Sequence, residues 1–170
     1  ELEPFTPPSE AEFDAADIRA IFLGYYLPWD PSESLRVAEQ HGFQRRAEGP
    51  KVGLYDYADI DCDFISIHHW FKYPKFGFTR LFDNLSLEIR NGRIRRDAAL
   101  ATIARLGDQR PDADIARALD FMDLSPTVFA ELEERFRDHA IWQQRDGQWV
   151  VPGFPVAGWR WPQVDLEQAA

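Results

Sequence analysis

FGFTRLFDNLSLEIRNG, Phe76 to Gly92, is the stretch from which the fold can be read. Phe78, Leu81, Phe82, Leu85 and Ile89 recur at helical spacing and form one apolar stripe, and Gly92 supplies the left-handed stop. At about 100° per residue, Arg80, Asp83 and Arg90 fall within roughly 80° of one another on the opposite side. Leu87 lies among them, out of place on a face meant only for water. Two guanidiniums flanking a carboxylate suit a phosphate or carboxylate ligand, because arginine presents bidentate donors in a fixed fork. Asp83 is placed to orient one arginine or to accept from a sugar hydroxyl. The plain alternative is a salt-bridged, solvated face.

Immediately upstream, HHWFKYPKFGFTR (His68 to Arg80) gathers two histidines, five aromatic rings, two lysines and an arginine. Lys75 and Gly77 stand just before the helix, where glycine allows close backbone approach and helix-start N–H groups attract anions. From Lys72 to Asp97 seven basic residues face three acidic ones, a local +4 in a chain of net charge −10. A cationic zone on an acidic protein points to one anionic ligand and excludes a general nucleic-acid surface. Adjacent histidines project in different directions, so His68 and His69 do not share an ion, and no metal site is expected. One of the two is expected to line a pocket. Cys62, the only cysteine, reads as a small buried residue, rules out an internal disulfide and favours a reducing cytoplasm.

Working outward, Leu100, Ile103 and Leu106 line a second helix closed by Gly107, and a third spans about Asp112 to Met122. Ser125 caps a fourth, with Pro126 at its first position and Leu124 and Phe129 placed as a hydrophobic staple. IWQQRDGQWVV reads as a hairpin about Asp146-Gly147. The tail beyond it is tryptophan-rich and aperiodic, and is expected to pack across the chain's own helices. Nearer the start, IRAIFLGYYLP (Ile18 to Pro28) reads as a buried strand, followed by a helix capped by Asp30, with Glu33 completing a capping box and Gly42 stopping it. The chain therefore reads as mostly α, with one strand–helix pair near its start that is half of a βαβ unit and cannot make a sheet alone.

No apolar run reaches the ~18 residues of a membrane span. Nucleotide-phosphate loops of the G-x-x-x-x-G-K-[ST] and G-x-G-x-x-G types are absent, as is the nucleophile elbow of hydrolases.

Three blocks together resemble a known family: FLGYYLPWDPSESLRVAEQHGF, HHWFKYPKFGFTRLFDNLSLEIRNGRIRRDAAL and FRDHAIWQQRDGQWVV. The likeness is to the C-terminal half of the N-acetyl sugar amidotransferases of the PP-loop ATP pyrophosphatase superfamily, which act in bacterial surface-polysaccharide synthesis. It runs from about Ile18 to Val151. The resemblance implies an enzyme that uses ATP with Mg2+ to activate the acetamido oxygen of a nucleotide-linked N-acetyl sugar. Ammonia from a glutaminase subunit then displaces AMP and leaves an acetamidino group. It carries His68, Lys72, Lys75, Gly77, Arg80, Asp83 and Arg90 over as substrate- or phosphate-binding positions, with Gly92, Arg96 and Asp97 also matching; Ala98 replaces an acid of the family pattern. Catalytic residues are left unassigned. The family's S-G-G-x-D-S pyrophosphate loop is absent, and Glu1 is not a methionine, so the expectation is a fragment whose upstream PP-loop half lies elsewhere. The fold class that the resemblance implies is an α/β fragment, mostly α: one or two buried strands complete an upstream parallel sheet, and a helical subdomain and a C-terminal hairpin follow. The divisions it implies are a linker over 1–16, the end of the PP-loop α/β domain over 17–60, a helical substrate subdomain over 61–140, and the hairpin with its tryptophan-rich tail over 141–170. Two other readings stand beside it: a module that docks a glutaminase, and a glycan-binding protein that uses its tryptophans without catalysis.

The missing loop makes a direct prediction. The 170-residue chain alone releases neither AMP nor pyrophosphate from ATP. Steady release of either from the purified chain, abolished by no contaminant control, would show that another segment binds the triphosphate.

Overall fold

The computed structural model describes residues 5–62 and 64–161. Helices α1 (Glu10–Ala15) and α2 (Pro31–Gln40) flank a single 3-10 turn at Leu23–Tyr25. After an irregular stretch come α3 (Ile65–Trp70), α4 (Lys72–Phe76), α5 (Arg80–Arg90), α6 (Arg96–Leu106), α7 (Asp112–Met122) and α8 (Pro126–Arg135). Strands β1 (Gln143–Arg145) and β2 (Gln148–Val150) close the fold as an antiparallel pair, with Gln143 opposite Val150 and Arg145 opposite Gln148.

Local chemistry explains most of these boundaries. Asp30 caps α2 by accepting from the Ser32 amide at 2.9 Å, and Ser125 caps α8 by accepting from Val128 N at 3.2 Å. Leu124 packs into the same cluster as Phe129, so the staple forms. Glu33 completes no capping box on α2; it pairs with Arg36 one turn on, at 2.9 Å. A capping box does form on α1, within the stretch read as a linker, where Ser9 and Glu12 bond reciprocally; no residue of that helix is buried. Asp146 (φ 50°) and Gly147 (φ 75°) both adopt the left-handed turn that matches strand twist.

Two apolar clusters make the core. One joins Trp70 and Tyr73 of α3 and α4 to Ile115 and Leu119 of α7, Phe129 of α8, and Trp142 and Trp149 at the hairpin. The other joins Leu81 and Leu85 of α5 to Ala99 and Ile103 of α6 and to Val156. Each large side chain buried this way contributes about 1.5–3 kcal/mol. The tail links them: Trp159 packs against both clusters and donates from Nε1 to the Tyr73 hydroxyl at 3.0 Å. As expected, the tail up to Trp161 lies across the chain's own helices; residues 162–170 lie outside the described residues.

The expected strand at Ile18–Pro28 is a correction. Among the described residues the only strands are β1 and β2, which pair with each other, and the upstream parallel sheet is not seen. A strand's backbone N–H and C=O groups need a neighbouring strand, and none runs beside this segment. Its apolar side chains are left in solvent, with Phe22 90% exposed and Tyr25 86% exposed. Cys62, expected to be buried, is exposed. The fold is thus helical with one terminal hairpin, and not α/β in what it displays.

Gly53 shows how tightly the loop before α3 is held. Its φ is +79°, and a Cβ there would lie 2.2 Å from Asn84 Oδ1. The same oxygen accepts from Leu54 N at 2.9 Å, while Gln109 brackets Gly53 with bonds of 3.0 and 3.2 Å to its N–H and C=O. Gly53→Ala is therefore expected to cost about 2–4 kcal/mol through backbone strain and lost hydrogen bonds. Chemical denaturation measures this; a change under about 0.5 kcal/mol would show that the loop tolerates a side chain there.

Candidate functional site

The polar side of α5 does not face open water. It forms one wall of a cavity of about 590 Å³, and α2 with the Tyr55–Ala58 stretch supplies the others. Arg80, Asp83, Leu87 and Arg90 all line it, opposite Trp29, Leu35, Ala38, Phe43 and Tyr57. This is the line of residues that the helical spacing put together, and Leu87 finds its place against the apolar lining.

Two buried polar residues on α5, Asn84 and Glu88, hold these walls together, Asn84 by accepting from Leu54 N at 2.9 Å. Glu88 accepts from Tyr55 Oη at 2.5 Å and from Arg93 Nε and Nη2 at 2.6 and 2.8 Å. Arg93 also donates to Asp30 at 2.6 Å, so the cap of α2 is tied to the far end of α5. The Arg93 guanidinium, and secondarily the Tyr55 hydroxyl, holds the Glu88 carboxyl below its ordinary range against the opposing effect of burial. Burial, then the neighbouring Glu88, pushes the Tyr55 hydroxyl up.

At the Arg80 end the charges form a closed set. Arg80 Nε donates to Asp59 Oδ2 at 3.1 Å, Arg80 Nη1 lies 3.7 Å from Asp83, and Lys72 pairs with Asp83. Asp59 holds a left-handed backbone, φ 58°, and places its other oxygen 3.2 Å from His69 Nε2. That contact has ion-pair distance without hydrogen-bond geometry, and both ring nitrogens of His69 are buried without a hydrogen-bond partner among the described residues. Burial lowers the His69 pKa more than Asp59 raises it, which favours the neutral imidazole.

The positions singled out in the sequence separate accordingly. Arg80, Asp83 and Arg90 share the cavity, and Lys72 joins them through Asp83. His68 is exposed, whereas its neighbour His69 turns inward to Asp59 and Arg80. Lys75 lies apart, its ammonium 4.4 Å from the centre of the Phe136 ring. Gly77 ends α4 in the left-handed region, and a Cβ there would meet Val151 Cγ2 at 2.9 Å and Ile141 Cγ2 at 3.2 Å. Its freedom admits the hairpin instead of a ligand. Trp70 and Tyr73 from the same aromatic segment go into the core. The rings that do line the cavity, Trp29, Phe43, Tyr55 and Tyr57, come from upstream, and no spacing rule linked them to α5.

A second cavity, about 560 Å³, lies across α2, but its charges are spent on one another: Arg45 on Glu39 at 2.7 Å and Arg93 on Glu88. Among the described residues no three of His, Cys, Asp and Glu converge as a metal-ligand set, and no helix is long and apolar enough to cross a membrane.

A family model described as LPS biosynthesis protein WbpG-like, C-terminal domain, matches residues 52–152. The match takes in α3 to α8 and the hairpin, and with them every α5 residue of the cavity. No curated protein matches the chain.

Glu88 gives the cavity wall a pH dependence of definite sign. Its folded pKa is depressed, so its contribution to stability is present above the unfolded value of about 4.3 and is lost as pH falls through the folded value. Glu88→Gln should lower Tm clearly at neutral pH, and its gap to the wild type should close as pH falls below the unfolded value and through the folded one. A gap that stays constant across that window would mean that the Arg93 contact does not depend on charge.

Proposed function

The chain belongs to the WbpG-like LPS biosynthesis proteins, and from that membership we propose that it is the sugar-binding C-terminal part of an ATP-dependent amidotransferase. The reaction converts the acetamido group of a nucleotide-linked sugar into an acetamidino group. The acetamido oxygen attacks the α-phosphate of ATP and expels pyrophosphate, and ammonia from a glutaminase subunit then attacks the activated carbon and expels AMP. The observation that carries the reading is the cavity along α5, where two arginines and a carboxylate face aromatic and aliphatic side chains. Sugar nucleotides need this mixture: guanidiniums for phosphate oxygens, carboxylates for hydroxyls, and rings for a base or a sugar face.

ATP itself does not fit this chain's residues, because no glycine-rich phosphate cradle occurs in the sequence. In the proposal ATP and Mg2+ belong to an S-G-G-x-D-S half of the complete enzyme, working in the cytoplasm. The residues described here bind and orient the acceptor sugar. A second contribution is favoured by the run Ile18 to Trp29, whose exposed apolar side chains fit a docking surface for that half or for the glutaminase.

Calorimetric titration with a panel of UDP-, GDP- and dTDP-linked N-acetyl sugars tests the reading. At least one should bind, and Arg90→Ala should weaken it roughly tenfold or more, as expected for a lost charged hydrogen-bond partner of about 1.5–3 kcal/mol. Absence of binding across the panel, with a folded chain, would remove the sugar-nucleotide assignment.

A further inference from the structure

The cavity along α5 has two ends of different charge, and that difference fixes the direction in which a ligand lies. Resting on the nucleotide-sugar reading, we infer that the diphosphate binds at the Arg90 end, beside Trp29, and that the sugar points to the Asp83 end.

At the Asp83 end the cations and carboxylates cancel. Lys72 and Arg80 are matched by Asp59 and Asp83 through contacts of 3.1 Å (Arg80–Asp59), 3.7 Å (Arg80–Asp83) and the Lys72–Asp83 pair. A phosphate placed there would gain no net attraction and would lie against the Asp83 carboxylate. A hydroxyl or amide N–H finds acceptor oxygens already oriented, because a carboxylate accepts through up to four lone-pair sites and these are only partly used. Asp83 lines the cavity and keeps about a quarter of its side chain accessible, 28%.

The other end is different. Arg90 lines the cavity, is exposed, and pairs with no carboxylate among the described residues. Glu88, two residues earlier on α5, and Asp30 at the start of α2 are both committed to Arg93. The Asp30–Arg93 bond of 2.6 Å also pins the start of α2 to the end of α5, which brings Trp29, the residue before Asp30, to this same end. An uncompensated guanidinium beside a half-open indole ring matches a phosphate followed by a base. Asp83 and Arg90 are seven residues apart on α5, which at about 1.5 Å of rise per residue separates the two ends by about 10 Å. The groove is long enough for the two parts of one ligand to be read separately.

The test compares three probes on the full chain: UDP-N-acetylglucosamine, UDP, and free N-acetylglucosamine, followed by NMR titration. Arg90→Ala should weaken UDP and UDP-N-acetylglucosamine by tenfold or more and leave free N-acetylglucosamine unaffected; Arg90→Glu should abolish UDP binding. Asp83→Asn should weaken the two N-acetylglucosamine probes and spare UDP. Because Arg90 is exposed and unpaired, its variants fold, and the Asp83→Asn result is read only at a Tm matched to the wild type or replaced by the converse Arg90 result. If Arg80→Ala loses UDP while Arg90→Ala keeps it, the ligand lies the other way and the inference is wrong. If the wild type binds none of these probes but does bind another member of the nucleotide-sugar panel, the same variants on that sugar, its nucleotide and its free hexosamine decide the direction. If nothing in the panel binds, the nucleotide-sugar reading fails and the inference falls with it.

Discussion

A helix that buries polar side chains must find partners for them, and α5 does so by gripping the chain that precedes it. Asn84, nearly inaccessible, accepts from the Leu54 amide, and Glu88 accepts from Tyr55 and Arg93. An unpaired buried amide or carboxylate would cost more than most single apolar contacts return. The loop of Gly53 to Tyr57 is therefore fastened to α5, and the cavity exists because that loop and α2 stand over the helix without covering its Arg80–Arg90 line.

The same helix faces two other ways. Leu81 and Leu85 pack on α6 and the tail, and the tail in turn reaches the aromatic cluster through Trp159 and Tyr73. Three faces of one helix thus carry core, loop attachment and ligand wall. This accounts for a buried face read as Leu81 and Leu85 that also holds Asn84 and Glu88, while Ile89, in the apolar stripe by spacing, is largely exposed. Tryptophan richness, which supported a glycan-binding reading, is mostly explained by the core: Trp70, Trp142 and Trp149 are buried.

Charge placement gives the site its character. The cationic zone from Lys72 to Asp97 is positive in sum, yet three of its seven cations are held by carboxylates, two of them (Asp83 and Glu88) inside the zone itself. Lys72 goes to Asp83, Arg80 to Asp59, and Arg93 to Glu88 and Asp30. What the cavity wall offers a ligand, among the described residues, is the guanidinium of Arg90 without an ion pair and a set of oriented acceptors, a recognition surface with direction and little net charge.

Much of this was legible in the order of residues. Helical periodicity, the Ser125 and Asp30 caps, the Asp146-Gly147 turn and the grouping of Arg80, Asp83, Leu87 and Arg90 depend only on neighbours within a few positions, so the sequence by itself determined them. Whether Ile18 to Pro28 forms a strand depends on a partner strand that pattern alone does not supply. Which histidine turns inward depends on Asp59, ten residues earlier and in a left-handed backbone. That Gly77 yields to the hairpin, and that Trp29 and Tyr57 complete the cavity, depends on contacts between segments distant along the chain. Tertiary structure alone decided these, because a side chain's partner across the fold is set by packing and hydrogen bonding over many residues, whereas its place on a helix is set by the helix itself.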